Sequence, residues 1–265
     1  MGDEEPILDE DLRPVIVDNP AGAGPAVIVC EHASNALPVR FGSLGISRAV
    51  QESHVAWDPG AAPVASAVAG LLDAPLVQGG VSRLVYDCNR PPDAPSAMPA
   101  RSEVFRIPGN EALSDAERHE RIAAVYEPFA ARLEAVLALA PRDAALVTIH
   151  TFTPVYAGVP RPVEIGILHD EDARLADALL SLAPGFVDRP VRRNEPYGPA
   201  DGVTTTLVRH ALPAGRPNVM IEIRNDLVAM AADQARIGRM LAAWIETALA
   251  RLGVAGAREA VPCRG

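Results

Sequence analysis

Three short apolar runs in this chain each stop abruptly at side chains able to bind a metal or move a proton: VIVCEH at 27–32, ALVTIH at 145–150 and VMIEIRND at 219–226. Continuous Val/Ile/Leu runs of this length are the pattern of parallel strands buried on both faces. Ligands of open α/β sheets collect beyond the carboxyl ends of such strands. His32, His150 and Glu222 are therefore expected to meet at one end of one sheet, although they lie far apart in sequence. Two imidazoles and a carboxylate are the raw material of a hydrolytic zinc site.

The rest of the chain alternates between strand-like runs and helical periodicity. Residues 1–24 read as an irregular N-terminal segment. Pro59 to Leu72 has small apolar residues at helical spacing, and LVQG at 76–79 follows as a strand. LVYDC at 84–88 reads as a short strand emptying into a proline-rich loop. Residues 114–140 open with Ser114 as an N-cap ahead of acidic residues, the start signal of a long helix. VEIGILH at 163–169 and FVDRPVRR at 186–193 are strand-like, with a helix over 171–182 between them. Asp201 is expected to start a helix through His210, and Asp226 to stand at or near the N-cap of a helix over 226–251, with 252–265 as a loose tail. The alternation indicates one three-layer α/β/α domain over residues 1–265 with a mostly parallel central sheet.

Composition removes several functions. The chain has no lysine, which excludes both Schiff-base and P-loop lysine chemistry. A net charge of −10 argues against nucleic-acid binding, and no apolar run reaches the length of a membrane span. An acidic N-terminus without the basic and apolar regions of a secretory signal makes the cytoplasm the expected compartment. Cys30, Cys88 and Cys263 form no spaced framework, which suits a reducing environment, and Cys30 and Cys88 read as buried packing thiols. No GxSxG elbow is present, which speaks against a serine hydrolase.

The order EHASN, SRLVYDCNRPP, LVTIHTFTP, NEPYG and IEIRND resembles the N-formylglutamate amidohydrolase family, over roughly residues 25–230. That family looks like a distant relative of the zinc carboxypeptidases, which implies a zinc carboxypeptidase-like (phosphorylase/hydrolase-like) fold. By this resemblance His32 and His150 are metal ligands, Glu222 is the catalytic carboxylate, and one zinc ion per chain is the expected cofactor. HASN puts Asn35 where the carboxypeptidase pattern has a glutamate ligand, and an uncharged amide is a weak zinc ligand. Asp58 is the preferred third ligand, with Asn35 as the alternative; Asp58 could also cap the helix that begins near Pro59. Glu31 would point away from His32 if strand alternation persisted, and is set aside as a ligand.

The Asn89–Arg90 pair resembles the carboxypeptidase pair that holds a substrate carboxylate and steadies the developing oxyanion. Arg83, Asn194, Tyr197 and His210 are further candidates for lining the pocket. Arg101, Arg106, Arg192 and Arg193 read as solvated surface charges. The resemblance implies a metal-dependent amidohydrolase acting on a small anionic N-acyl amino acid, most simply N-formylglutamate, in a monomer or small homo-oligomer. A carboxypeptidase or deacylase acting on another N-acyl amino acid or peptide, and a metal-free small-molecule binding domain, remain alternatives.

Overall fold

The computed structural model describes residues 12–259; residues 1–11 and 260–265, Cys263 among them, lie outside the described residues. The elements run in the order β1 (Val15–Asp18), β2 (Ala26–Cys30), a short α1 (Arg48–Gln51), α2 (Ala61–Leu71), β3 (Leu76–Gly79) and a hairpin of β4 (Arg101–Ser102) with β5 (Phe105–Arg106). There follow α3 (Asp115–Arg121), α4 (Glu127–Leu139), β6 (Ala145–Phe152) and a second hairpin of β7 (Val155–Tyr156) with β8 (Val159–Pro160). The chain continues with β9 (Ile165–Leu168), α5 (Arg174–Phe186), β10 (Val191–Arg193), α6 (Thr205–His210), β11 (Asn218–Arg224) and α7 (Ala231–Arg251).

Seven strands form one sheet in the order β1-β3-β2-β6-β11-β9-β10. The β1–β3 and β11–β9 pairs are antiparallel and the other pairings parallel. Strand alternation then builds two cores. Ala26, Ile28 and Cys30 of β2, with Val147, Ile149, Val219 and Ile221, pack against α2, α5 and α7. Val27, Val29, Leu146 and Met220 face the other way, onto Phe129, Leu133 and Val136 of α4. Burial on both faces is why these strands are uninterrupted apolar runs rather than alternating ones.

The local signals hold where their chemistry is strong. Ser114 caps α3 through a capping box, in which the Glu117 N–H donates to Ser114 Oγ at 3.3 Å and the Ser114 N–H donates to Glu117 Oε2 at 2.8 Å. A π-turn over Ile122–Tyr126 joins α3 to α4.

Four expectations need correction. The N-terminal segment is not irregular throughout, because Val15–Asp18 adds an edge strand to β3. Residues 84–88 are not a strand: Ser82 accepts from the Val85 N–H through its carbonyl at 2.9 Å and from the Leu84 N–H through its hydroxyl at 3.2 Å, which turns the chain under the sheet edge. The helix after Asp201 is only α6, because a 3-10 turn over Pro199–Asp201 closes at Gly202 with φ 66°. Asp226 does not cap α7; it takes the Arg224 guanidinium at 2.8 Å while a 3-10 turn carries the chain on to Ala231. Among the described residues no helix is long and apolar enough to cross a membrane.

His210 ends α6 with its side chain 4% exposed, its Nδ1 without a hydrogen-bond partner among the described residues and Glu134 Oε1 at 3.7 Å. Burial first, and Arg209 second, push this imidazole down to about 4. A histidine depressed in the folded state contributes stability that is complete above its unfolded value of 6.5 and is lost as the pH falls toward about 4. At about 1.4 kcal/mol for each pH unit, the loss is at most about 3 kcal/mol. Urea unfolding at pH 7 and pH 4.5 should therefore show wild-type protein losing about 2 kcal/mol more than H210Q over that interval; equal losses would contradict the buried neutral imidazole.

Candidate active site

Parallel register places Glu222 of β11 directly beside His150 of β6, at the carboxyl ends of both strands and on the face that carries Leu146 and Met220. On β2 the strand ends at Cys30. Glu31 keeps the alternation of Val27 and Val29 and so reaches the His150 side, whereas a turn swings His32 in from the strand tip. Gly79 permits this turn: a Cβ there would lie 2.1 Å from the Glu31 carbonyl oxygen. Gly166, the register partner of Glu222 on β9, serves the opposite wall, because a Cβ at 166 would lie 2.1 Å from the carbonyl oxygen of Glu195 and displace the loop that carries Tyr197.

Three ligand atoms, one each from His32, Asp58 and His150, lie within 4.8 Å of one another, and all three residues are buried. Asp58 Oδ2 is the hub, 3.3 Å from His32 Nδ1 and 2.9 Å from His150 Nδ1. The opposite ring nitrogens are backed by acids. His32 Nε2 meets Asp87 Oδ1 at 2.7 Å, and His150 Nε2 lies 3.0 Å from Glu31 Oε2, within ion-pair reach but off the line of a hydrogen bond. A carboxylate behind each imidazole is the arrangement that fixes tautomer and ring orientation in metal-ligating histidines. Two nitrogen donors and one oxygen donor beside a cavity are donor types that suit a divalent cation. The residues fit a divalent cation, with Asp58 beside the two histidines, whereas Asn35 is not among the residues that line the adjoining cavity.

Charge points the same way. Glu31, Asp58, Asp87 and Glu222 are all buried, and two guanidinium groups, Arg83 and Arg90, stand nearest to them. Burial disfavours a proton on His32, and Arg83 adds to that, yet Asp87 and Asp58 raise its pKa overall. Burial is likewise outweighed at His150, where Glu31 and Asp58 raise the pKa well above the ordinary value. Asp58 is held below the usual carboxylate range by the two imidazoles despite its burial. The cluster is short of positive charge, which a bound divalent cation would supply.

A cavity of about 360 Å³ opens over this cluster. Its floor includes His32, Asp58, His150 and Glu222; its walls include Leu84, Phe152, Tyr197 and Met220. Glu222 Oε2 is buried without a hydrogen-bond partner among the described residues, and burial pushes the carboxyl up to about 7. Burial and the nearby Glu222 push the Tyr197 phenol up to about 12. The Tyr197 hydroxyl accepts from Arg161 Nη1 at 2.8 Å, and the Arg161 guanidinium stacks 4.7 Å from the ring centroid.

The other candidates divide. Arg83 lines the cavity but is committed to acids, with Nη2 2.8 Å from Asp87 Oδ2 and Nη1 3.4 Å from Asp58 Oδ1. Arg90 also lines it, with Nη1 donating to the carbonyls of Asp201 and Gly202. Asn89 spends its amide on the chain before and within α6: Nδ2 donates to the Val203 carbonyl at 2.5 Å, and Oδ1 accepts from the Thr206 N–H at 3.0 Å. Asn194 and His210 are not among the cavity-lining residues. Asn194 Oδ1 accepts from the His169 N–H at 2.9 Å, holding the chain that leads to Tyr197. Asp58 does not cap α2, whose N-cap is Gly60 with φ 85°; its carboxylate accepts from the Thr151 N–H at 3.3 Å. Glu31 and Asp87 were missed as partners of the two histidines. Strand alternation carried past Cys30 already places Glu31 on the His150 face, and Asp87 stands two residues before Asn89.

The family model for N-formylglutamate amidohydrolase matches residues 24–229. Among solved structures, the crystal structure of gene product Atu2144 from Agrobacterium tumefaciens is 51% identical, with a TM-score of 0.89 over 92% of this chain and 98% of that one. The crystal structure of an N-formylglutamate amidohydrolase from Ralstonia eutropha is 21% identical, with a TM-score of 0.63 over 91% and 99% of the two chains, a likeness of fold. No curated protein gives a significant match. A family match across most of the length, over the segment that brings His32, Asp58, His150 and Glu222 together, means that this chain belongs to the N-formylglutamate amidohydrolase family.

Proposed function

We propose that this protein hydrolyses N-formylglutamate to formate and glutamate, with one zinc ion held by His32, Asp58 and His150. The observation that carries the reading is the convergence of two buried imidazoles, a shared aspartate and a glutamate whose Oε2 has no hydrogen-bond partner among the described residues, on the floor of one cavity. Membership of the family supplies the choice of substrate. When bound, the cation supplies Lewis acidity to the formyl carbonyl and to the attacking water.

The chain's own groups do the rest. Glu222 serves as the general base and then the general acid: it takes a proton from the attacking water and returns it to the leaving amide nitrogen, with burial raising its carboxyl pKa and the cation opposing that rise. Among the described residues no donor competes for its buried Oε2. Arg83 bridges Asp58 and Asp87 and holds both carboxylates in orientation. Asp87 pairs with the outer nitrogen of His32 and Glu31 stands within ion-pair reach of that of His150, while both Nδ1 atoms face Asp58. Arg90 offers its remaining donors to the carboxylate beside the scissile amide, and Asn89 positions the chain that Arg90 leans on. Tyr197 forms part of the cavity wall as a neutral hydroxyl.

Formate release from N-formylglutamate, measured with and without added zinc, tests the reading. Activity should require about one zinc per chain and vanish on chelation. E222Q should retain zinc and lose at least about 100-fold in kcat, the lower end of what general acid–base catalysis contributes. H150A should fail to retain zinc. Chelation without effect, or full activity in E222Q, would overturn the mechanism.

Glu31 gives a separate check. E31Q should weaken zinc affinity by about 10- to 100-fold in competition titration against a chromophoric chelator, the usual cost of losing a carboxylate behind a ligating histidine. Unchanged affinity would remove Glu31 from the support of His150.

A further inference from the structure

An N-acylated acidic amino acid carries two carboxylates, and the cavity that would receive it is lined by three arginines among the described residues: Arg83, Arg90 and Arg101. They are not equivalent. Arg83 is spent on Asp58 and Asp87 beneath the site. Arg90 is half spent, with Nη1 on two backbone carbonyls and Nε 3.9 Å from Asp87 Oδ2, close to the cluster through the acid that backs His32. Arg101 stands exposed on the β4–β5 hairpin at the rim, where only its Nε is engaged, donating to the Glu103 carbonyl at 3.1 Å. Among the described residues both terminal nitrogens of Arg101 are without a protein partner. A guanidinium with both ends open is the fork that meets a carboxylate through two parallel hydrogen bonds.

The acids near the rim are turned to other donors and do not pair with this guanidinium. Glu103 Oε2 accepts from His54 Nε2 at 2.8 Å, and Oε1 accepts from the Ala157 N–H at 2.8 Å. Asp201 Oδ2 accepts from the Gly198 N–H at 2.8 Å. The Glu103 contacts also clamp the hairpin between the loop of His54 and the β7–β8 hairpin, so the backbone that carries Arg101 is fixed before a ligand arrives. Pre-fixed donors lose less entropy on binding than mobile ones.

Substrate chemistry sets the order. In an N-formyl amino acid of the glutamate type, the main-chain carboxylate lies two bonds from the amide nitrogen and the side-chain carboxylate four. With the amide at the floor, the nearer carboxylate falls to Arg90 and the farther one to the rim. We propose that Arg101 is the specificity-determining cation of this cavity, receiving the side-chain carboxylate and so selecting acidic over neutral N-formyl amino acids. The assignment rests on the hydrolase function proposed above. Arg101 also offsets the field of a chain whose net charge of −10 repels a dianion from the mouth.

The test compares kcat/KM for N-formylglutamate and N-formylglutamine, which keeps the shape and loses the charge, in wild type, R101Q and R101K. Wild type should prefer the glutamate substrate, and R101Q should reduce that preference by about 10- to 100-fold, carried by KM, as expected for one charge-assisted contact. R101K should restore part of it. Retention of the wild-type preference in R101Q, or no preference in wild type, overturns this assignment alone. If wild type hydrolyses neither substrate, the function proposed above falls and this inference falls with it.

Discussion

One carboxylate oxygen holds this site together. Asp58 Oδ2 lies between His32 Nδ1 and His150 Nδ1, at 3.3 Å and 2.9 Å, and so ties the tip of β2 to the end of β6 across the carboxyl edge of the sheet. Burying that oxygen is costly unless it is compensated. Here Arg83 and the Thr151 N–H also reach Asp58, while Glu31 and Asp87 crowd the imidazoles from behind. The result is a cluster of buried acids that its own cations do not balance, which is why both imidazoles are drawn toward protonation. A protein that gathers so much negative charge in its interior gains most when a cation binds there, because binding to the folded state alone stabilises that state.

The apolar frame makes this arrangement possible. With β2, β6 and β11 covered on both faces, side chains can escape only at the strand ends, and parallel register lines those ends up. Glycines mark where backbone must pass at close quarters: Gly79 under the Glu31 turn and Gly166 beneath the loop of Tyr197. The long loops after β3 and β6 then wall the cavity, and Asn89, Asn110 and Arg121 tie the first of them down with buried hydrogen bonds.

Much of this was legible in the sequence, for reasons that can be named. Apolar runs ending in His150 and Glu222 pointed to strand ends because burial on both faces leaves no other pattern, and Ser114 with Glu117 marked a helix start through its capping chemistry. Asp58 was recognised as a ligand candidate, although its position before Pro59 suggested a cap that the structure gives to Gly60. The failures were non-local. Leu84, Val85 and Tyr86 are as apolar as a strand, but Ser82 turns them, and no window of sequence reports that the sheet edge is already occupied by β1. Glu31 lies outside the ligand set, in line with the sequence, but its place behind His150 depends on the chain turning after Cys30 to bring His32 round to the same cluster. Whether an arginine such as Arg101 is merely solvated or faces a cavity depends on what the neighbouring acids already bind, and that is a property of the fold.

The central claim is that His32, Asp58 and His150 form one cation site. Anomalous diffraction at the zinc edge, from crystals grown with zinc, tests it most directly. A single peak about 2.0–2.2 Å from both Nδ1 atoms and Asp58 Oδ2 is the predicted result. A zinc-soaked crystal with no peak there, or with its peak elsewhere in the cavity, would contradict it.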